Sequence, residues 1–173
     1  MIIGITGKAR SGKDTVAAIL VAQHGFTRIA FADPLKRAAQ AIFGLTEAQT
    51  WDDDLKEIVI PYWGMSPRSM FQQLGVEAVK RTFGHDVWAK RWAMSFEAVG
   101  DNVVATDCRF DTEAALIRSL GGIIIEVIRG PGLNGSTGDH SSERGLSTLP
   151  DITIDNNGSI KDLSDVLYRK LFS

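Results

Sequence analysis

The residues Gly7-Lys8-Ala9-Arg10-Ser11-Gly12-Lys13-Asp14-Thr15 follow the pattern G-x-x-x-x-G-K. Glycine at positions 7 and 12 lets the intervening backbone N–H groups turn toward an anion, and a helix opening there adds partial positive charge. The Lys13 amine can then reach the β and γ phosphates of a nucleotide. Asp14 stands where the general pattern has a Ser or Thr that touches magnesium, and Thr15 comes one place later. Two roles are open for Asp14. It holds the ion through its carboxylate or a bound water, or it caps the helix while another carboxylate holds the metal.

That other carboxylate is Asp107, which ends the apolar run Val103-Val104-Ala105-Thr106 and is followed two places later by Arg109. A strand-end Asp is how P-loop enzymes hold magnesium, and it is also a common turn residue. After Ser66-Pro67, the residues Arg68, Gln72 and Gly75 are spaced by four and three, which on an α-helix gives one face. Arg offers a planar fork for phosphate, Gln an amide that both donates and accepts, and Gly a bare backbone for close approach. The plain reading of the same three is a solvated face. Trp88 and Trp92 are four apart, one expected in the core and the other available to stack on a base. Lys80-Arg81 and Lys90-Arg91 read as solvated charge. Arg129 ends an apolar run, and His140, Glu143 and Arg144 follow in a Gly- and Ser-rich stretch; a lid arginine is what phosphoryl transfer recruits on closure.

Positioning these groups requires strands alternating with helices. Met1 to Thr6 reads as a buried parallel strand, with a helix from Gly12 to His24 ended by Gly25. Thr27 to Phe31 reads as a second strand. Asp33-Pro34 reads as N-cap and first helical residue of a helix running to Gly44. Residues 46–64 have no regular pattern. Ser66-Pro67 opens a helix to Phe83, His85 to Val99 forms another, and Asn102 to Thr106 is the third strand. Thr112 to Leu120 is helical, Ile123 to Ile128 is a strand, and 129–150 is a long connection of the kind that serves as a lid. Ile152 to Asp155 is the fifth strand, and Ile160 to Phe172 the closing helix. The expected fold is α/β, a parallel sheet of about five strands with helices on both faces. Ligands in such sheets bind beyond the carboxyl ends of the strands.

The chain has 173 residues, 44% of them hydrophobic and 23% charged, and a net charge of −2. That length suits one domain, and that charge excludes the broad basic surface with which proteins grip a nucleic-acid polymer. No membrane-spanning run or signal segment is read, which makes the cytoplasm the expected location. Cys108 is the single cysteine, and His24, His85 and His140 lack metal-ligand spacing, so no structural zinc is expected. There is no N-K-x-D guanine-reading motif, which argues against a GTPase switch.

Several motifs occur in one order: G-K-x-x-S-G-K-D-T at 7–15, F-A-D-P-L-K at 31–36, S-P-R-x-x-x-Q-x-x-G at 66–75, F-G-x-D-x-W at 83–88, T-D-x-R-F at 106–110 with Glu113 following, and D-H-x-S-E at 139–143. Across almost the whole chain this resembles the deoxynucleoside monophosphate kinases of tailed bacteriophages. The resemblance implies a P-loop, nucleoside-monophosphate-kinase-like domain over 1–173, with an acceptor-binding helical region at about 44–100 and a lid at about 129–150. It implies transfer of the γ-phosphoryl of ATP to a deoxynucleoside 5′-monophosphate, with Mg2+, in the host cytoplasm if the gene is a phage's. Gly7, Ala9, Arg10, Ser11, Gly12, Lys13, Asp14 and Thr15 would then serve the ATP phosphates and metal. Asp33, Arg68, Gln72, Gly75, Trp88, Asp107, Arg109 and Glu113 would serve the monophosphate, with Lys13, Arg68, Asp107 and Arg109 catalytic. Another small-molecule P-loop kinase, of the dephospho-coenzyme A or phosphomevalonate type, and a non-catalytic ATP-binding module are the alternatives. The choice between monomer and homodimer stays open.

Overall fold

A computed structural model describes residues 1–130 and 145–173. Five parallel strands, β1 (Ile2–Thr6), β2 (Thr27–Arg28), β3 (Val103–Ala105), β4 (Ile123–Ile128) and β5 (Ile152–Asp155), form one sheet in the order β2-β3-β1-β4-β5. Register pairs Ile3 with Val104 on one side and with Ile123 on the other. The order reverses at β1, and the loop after a central strand at such a reversal is where ligands bind in open α/β sheets.

The chain divides into two compact units, one of residues 1–30 with 89–173 and the other of residues 31–88. In the first, α1 (Lys13–His24) and α8 (Ile160–Leu171) cover one face of the sheet: Val16, Ile19 and Leu20 of α1 and Leu163 and Leu167 of α8 pack with Ile3, Ile5, Ile125 and Ile154. Strand side chains alternate in direction, so Gly4 faces the other side, where α7 (Asp111–Ser119) lies. A Cβ on Gly4 would stand 2.5 Å from Ile117 Cδ1, which is why this strand carries glycine among isoleucines. In the same unit, Trp92 of α6 (Val87–Val99) is buried with Nε1 donating to the Ile29 carbonyl at 2.9 Å.

In the second unit, α2 (Asp33–Phe43), α3 (Glu47–Trp51), a short 3-10 turn at Leu55–Glu57 and a helical run over 67–83 surround a small core of Ala39, Leu45 and Met70. Ser66 caps that run as expected, its side chain accepting from Ser69 N–H at 3.3 Å. The run itself is α4 (Pro67–Gln72), a π segment (Gln73–Lys80) and α5 (Arg81–Phe83).

Four expectations change. The second strand is two residues long, with one further ladder bond from Ile29 N–H to Val104 carbonyl. Asp33 is the first residue of α2 and Ala32 its cap, because the Ala32 carbonyl already accepts from Lys36 N–H at 2.9 Å. The third strand stops at Ala105, leaving Asp107 in the turn beyond it. Lys80, expected to be solvated, is 5% exposed; the π turn rolls it inward while Arg81 stays outside, paired with Glu77 at 2.9 Å.

Asp111 at the start of α7 accepts from Ser147 Oγ at 2.7 Å and from Ser147 N–H at 3.0 Å. These bonds, the Ser147 hydroxyl first, hold its carboxyl below the ordinary carboxylate range. A folded-state value below the unfolded one means the contribution is present above about pH 4 and lost as pH falls through the folded value. Asp111→Ala should speed amide exchange at Ser147 severalfold at neutral pH, and the wild type should approach the variant only in acid. Equal exchange in both proteins at neutral pH would refute the anchoring role.

Candidate active site

Gly7 follows β1 with φ 134°, Gly12 precedes α1 with φ 101°, and between them Arg10 adopts φ 62°. Two of these three conformations cost little only because the residues are glycines, and Arg10 carries the strain of the turn. Space explains the glycines as well. A Cβ on Gly7 would stand 2.4 Å from the Val127 carbonyl oxygen, and one on Gly12 2.1 Å from Asn156 Nδ2. The Lys13 ammonium donates to the carbonyls of Gly7 at 2.8 Å and Lys8 at 2.7 Å, so it spans the loop. Ser11 is 4% exposed, and its hydroxyl is a buried polar group without a partner. A buried hydroxyl left unsatisfied costs about 1–3 kcal/mol, and a phosphate oxygen is a strong acceptor for it. Ala9 and Thr15 are half-buried and Asp14 exposed.

Beyond β3, Asp107 and Arg109 are half-buried in the turn leading to α7. Glu113 is buried, and its Oε2 accepts from the N–H groups of Arg109 at 2.8 Å and Phe110 at 3.0 Å. Its carboxylate therefore holds the turn that displays Arg109. The signal for this is present in the sequence: an acidic residue at the third position of a helix reaches back to N–H groups before it. Cys108, between Asp107 and Arg109, is fully buried, and burial pushes its thiol well above the ordinary range, with the charges of Glu113 and Asp107 adding to this. A thiol is reactive only as thiolate. Iodoacetamide should leave Cys108 unmodified in the folded protein and label it in denaturant; rapid labelling of folded protein would contradict this.

In the second unit, Arg68 and Gln72 keep their i, i+4 relation on α4, both half-buried, and Arg68 Nε donates to Glu57 Oε1. Gly75 does not continue their face. It lies in the π segment, buried, where a Cβ would stand 2.6 Å from Leu35 Cδ2, and its carbonyl accepts from Trp88 Nε1 at 3.0 Å. Spacing of four and three gives one face only while the i→i+4 ladder persists, and i→i+5 bonding breaks it. Of the tryptophan pair, Trp92 is the core residue and Trp88 is half-buried. Asp33 is half-buried at the start of α2. Arg129 is exposed at the end of β4; His140, Glu143 and Arg144 lie outside the described residues.

Among the described residues, no cluster of three or more His, Cys, Asp or Glu forms a metal cage, and no helix is long and apolar enough to cross a membrane. Asn156 is the residue that sequence reasoning missed: it is buried at the end of β5, and its Nδ2 donates to the Ser11 carbonyl at 2.8 Å.

Among solved structures, the shikimate kinase of Aquifex aeolicus vf5 aligns with 99% of this chain and 96% of its own, at 12% identity and a TM-score of 0.46. A protein of Acanthamoeba polyphaga mimivirus that bears the name deoxynucleotide monophosphate kinase is 33% identical, over 94% of this chain and 91% of that protein. The family described as deoxynucleotide monophosphate kinase matches residues 53–167, the stretch that carries Arg68, Trp88, Asp107 and Glu113. With the family model matched over residues 53–167 and a relative 33% identical over 94% of its length, the chain belongs to the deoxynucleotide monophosphate kinase family of phosphotransferases.

Proposed function

We propose that this chain transfers the γ-phosphoryl group of ATP to a deoxynucleoside 5′-monophosphate, yielding ADP and the deoxynucleoside diphosphate for DNA synthesis. The observation that carries the donor side is the unpartnered, buried Ser11 hydroxyl in a loop spanned by Lys13, in a member of this family. Lys13 and the N–H groups of the loop bind the ATP phosphates. On the acceptor side, Arg68 binds the monophosphate's phosphate, Gln72 its base or sugar, and Asp107 and Arg109 the reacting end. Asp33 and Trp88 belong to the same proposed set, with Glu113 acting through the Arg109 turn and Gly75, packed against Leu35, left out of it. The proposed compartment is the cytoplasm, and the acceptor is a single nucleotide.

Magnesium fits the donor set. It prefers hard oxygens, takes one or two carboxylates and leaves its remaining positions to water and phosphate, and Asp14, Thr15 and Asp107 offer such oxygens from partly or fully exposed positions. Asp14, Thr15 and Asp107 would hold it, and when bound it neutralises phosphate charge. The acceptor phosphate, with a second pKa of about 6, is already mostly dianionic at neutral pH and needs no strong general base. What remains for the protein is positioning and charge neutralisation by Lys13, Arg68, Arg109 and a lid arginine, Arg129 or Arg144, with direct in-line transfer and no covalent enzyme intermediate.

A coupled ADP-release assay tests this with deoxynucleoside monophosphates, their ribose counterparts, dephospho-coenzyme A and phosphomevalonate as acceptors. Release is expected with one or more of the deoxynucleotides. Preference for either of the last two, or ATP binding that no acceptor converts to release, would overturn the proposal.

A further inference from the structure

Asn156 follows β5, where its N–H donates to the Ile128 carbonyl at 2.8 Å and continues the ladder one residue beyond the strand. Its side chain turns into the protein, is 7% exposed, and donates to the Ser11 carbonyl 145 residues away in sequence. Next to it, Asn157 accepts from Gly130 N–H at 2.7 Å, which ties the same turn to the end of β4. The peptide joining Ser11 to Gly12 is planar and trans, so its carbonyl and its N–H point in opposite directions. Holding the carbonyl against Asn156 therefore turns the Gly12 N–H away from the β5 turn. Were that peptide to flip, a carbonyl oxygen would replace the N–H on that side, and an anion there would meet repulsion in place of a donor. Gly12 packs so closely on Nδ2 that no side chain fits between them, and, lacking a Cβ, it can take either sign of φ, which leaves both peptide orientations open to it.

We propose that Asn156 is a positioning residue for the phosphoryl donor: its amide locks the Ser11–Gly12 peptide in the orientation that presents the Gly12 N–H to a phosphate oxygen. The chemistry requires a neutral donor. An aspartate in the same place would set lone pairs against the Ser11 carbonyl and bring negative charge beside an anion site. The inference rests on the ATP reading given above and adds a residue that touches neither substrate.

Asn156→Asp keeps the shape and exchanges a donor for an acceptor; Asn156→Ala removes the donor without adding repulsion. Losing one such bond should raise the KM for ATP about tenfold in the Ala variant and more in the Asp variant, while the KM for the monophosphate stays within about twofold. Binding of inorganic tripolyphosphate, followed by calorimetry, should weaken in the same order. A merely structural role would lower the melting temperature and leave the two KM values in their original ratio, and that result overturns the proposal. If the Asp variant fails to fold, the Ala variant decides by the same ratio. If the wild-type protein binds tripolyphosphate but transfers nothing from ATP, the functional reading fails by itself, and the order of tripolyphosphate affinities still tests Asn156.

Discussion

Lys13→Ala is expected to lower the rate of phosphoryl transfer by on the order of 10³-fold, the scale on which single charge-stabilising groups act in such reactions. The ammonium donates to the Gly7 and Lys8 carbonyls, so the loop's own backbone holds it in place. Its role is twofold. It bridges the two ends of the turn, and in the proposed mechanism it supplies the unit positive charge that the outer phosphates meet. Lys13→Arg keeps the charge, but its planar fork and different length do not reproduce a compact ammonium between two carbonyls, so it should recover little of the rate. Thermal unfolding of both variants separates loop damage from lost chemistry. A rate within about tenfold of wild type for Lys13→Ala, in a protein that still folds, would remove Lys13 from the mechanism.

Arg68→Ala is expected to raise the KM for the monophosphate by about 10- to 100-fold, the loss of a charge-assisted contact, with the KM for ATP nearly unchanged. The asymmetry is the informative part, because a general loss of structure would affect both substrates. Arg68 donates to Glu57, and both side chains are partly exposed, so on the proposed reading a bound phosphate would replace one oxyanion partner with another. Glu57→Gln weakens that competitor and should lower the monophosphate KM by about two- to fivefold, the value of a partly exposed ion pair. Opposite signs at two paired positions are hard to obtain by any indirect route. Equal effects of Arg68→Ala on both substrates, or a raised monophosphate KM in Glu57→Gln, would count against Arg68 as an acceptor ligand.

Features set by neighbours in the chain are legible in the order of its residues. The apolar run before Gly7 and the helical spacing after Gly12 place the phosphate loop between β1 and α1, where it lies. Gly25 and Gly44 end their helices with φ of 68° and 65°, because a left-handed cap is a local demand that glycine meets at least cost. Strands β4 and β5 have the bounds expected from their β-branched runs. The order of the motifs is sufficient to identify the family.

Other features depend on contacts between distant parts of the chain. Gly75 has the spacing of the bare end of a binding face, yet Leu35 fills the space beside it, and a π segment replaces the α-helical spacing on which that face relies. Lys80 has the pattern of a surface charge and is buried by the same change of pitch. Glu113 falls within a motif that implies ligand binding, while its carboxylate serves two backbone N–H groups.

The glycine-loop pattern and the alternation of strands and helices are local properties, written in spacings of a few residues that backbone geometry reads directly. The strand order, the burial of Ser11 and the hold of Asn156 on its carbonyl arise from contacts between distant segments. A hydrogen bond between residues 145 positions apart leaves no periodic trace, since it exists only after the sheet has brought the ends of β1 and β5 to the same edge.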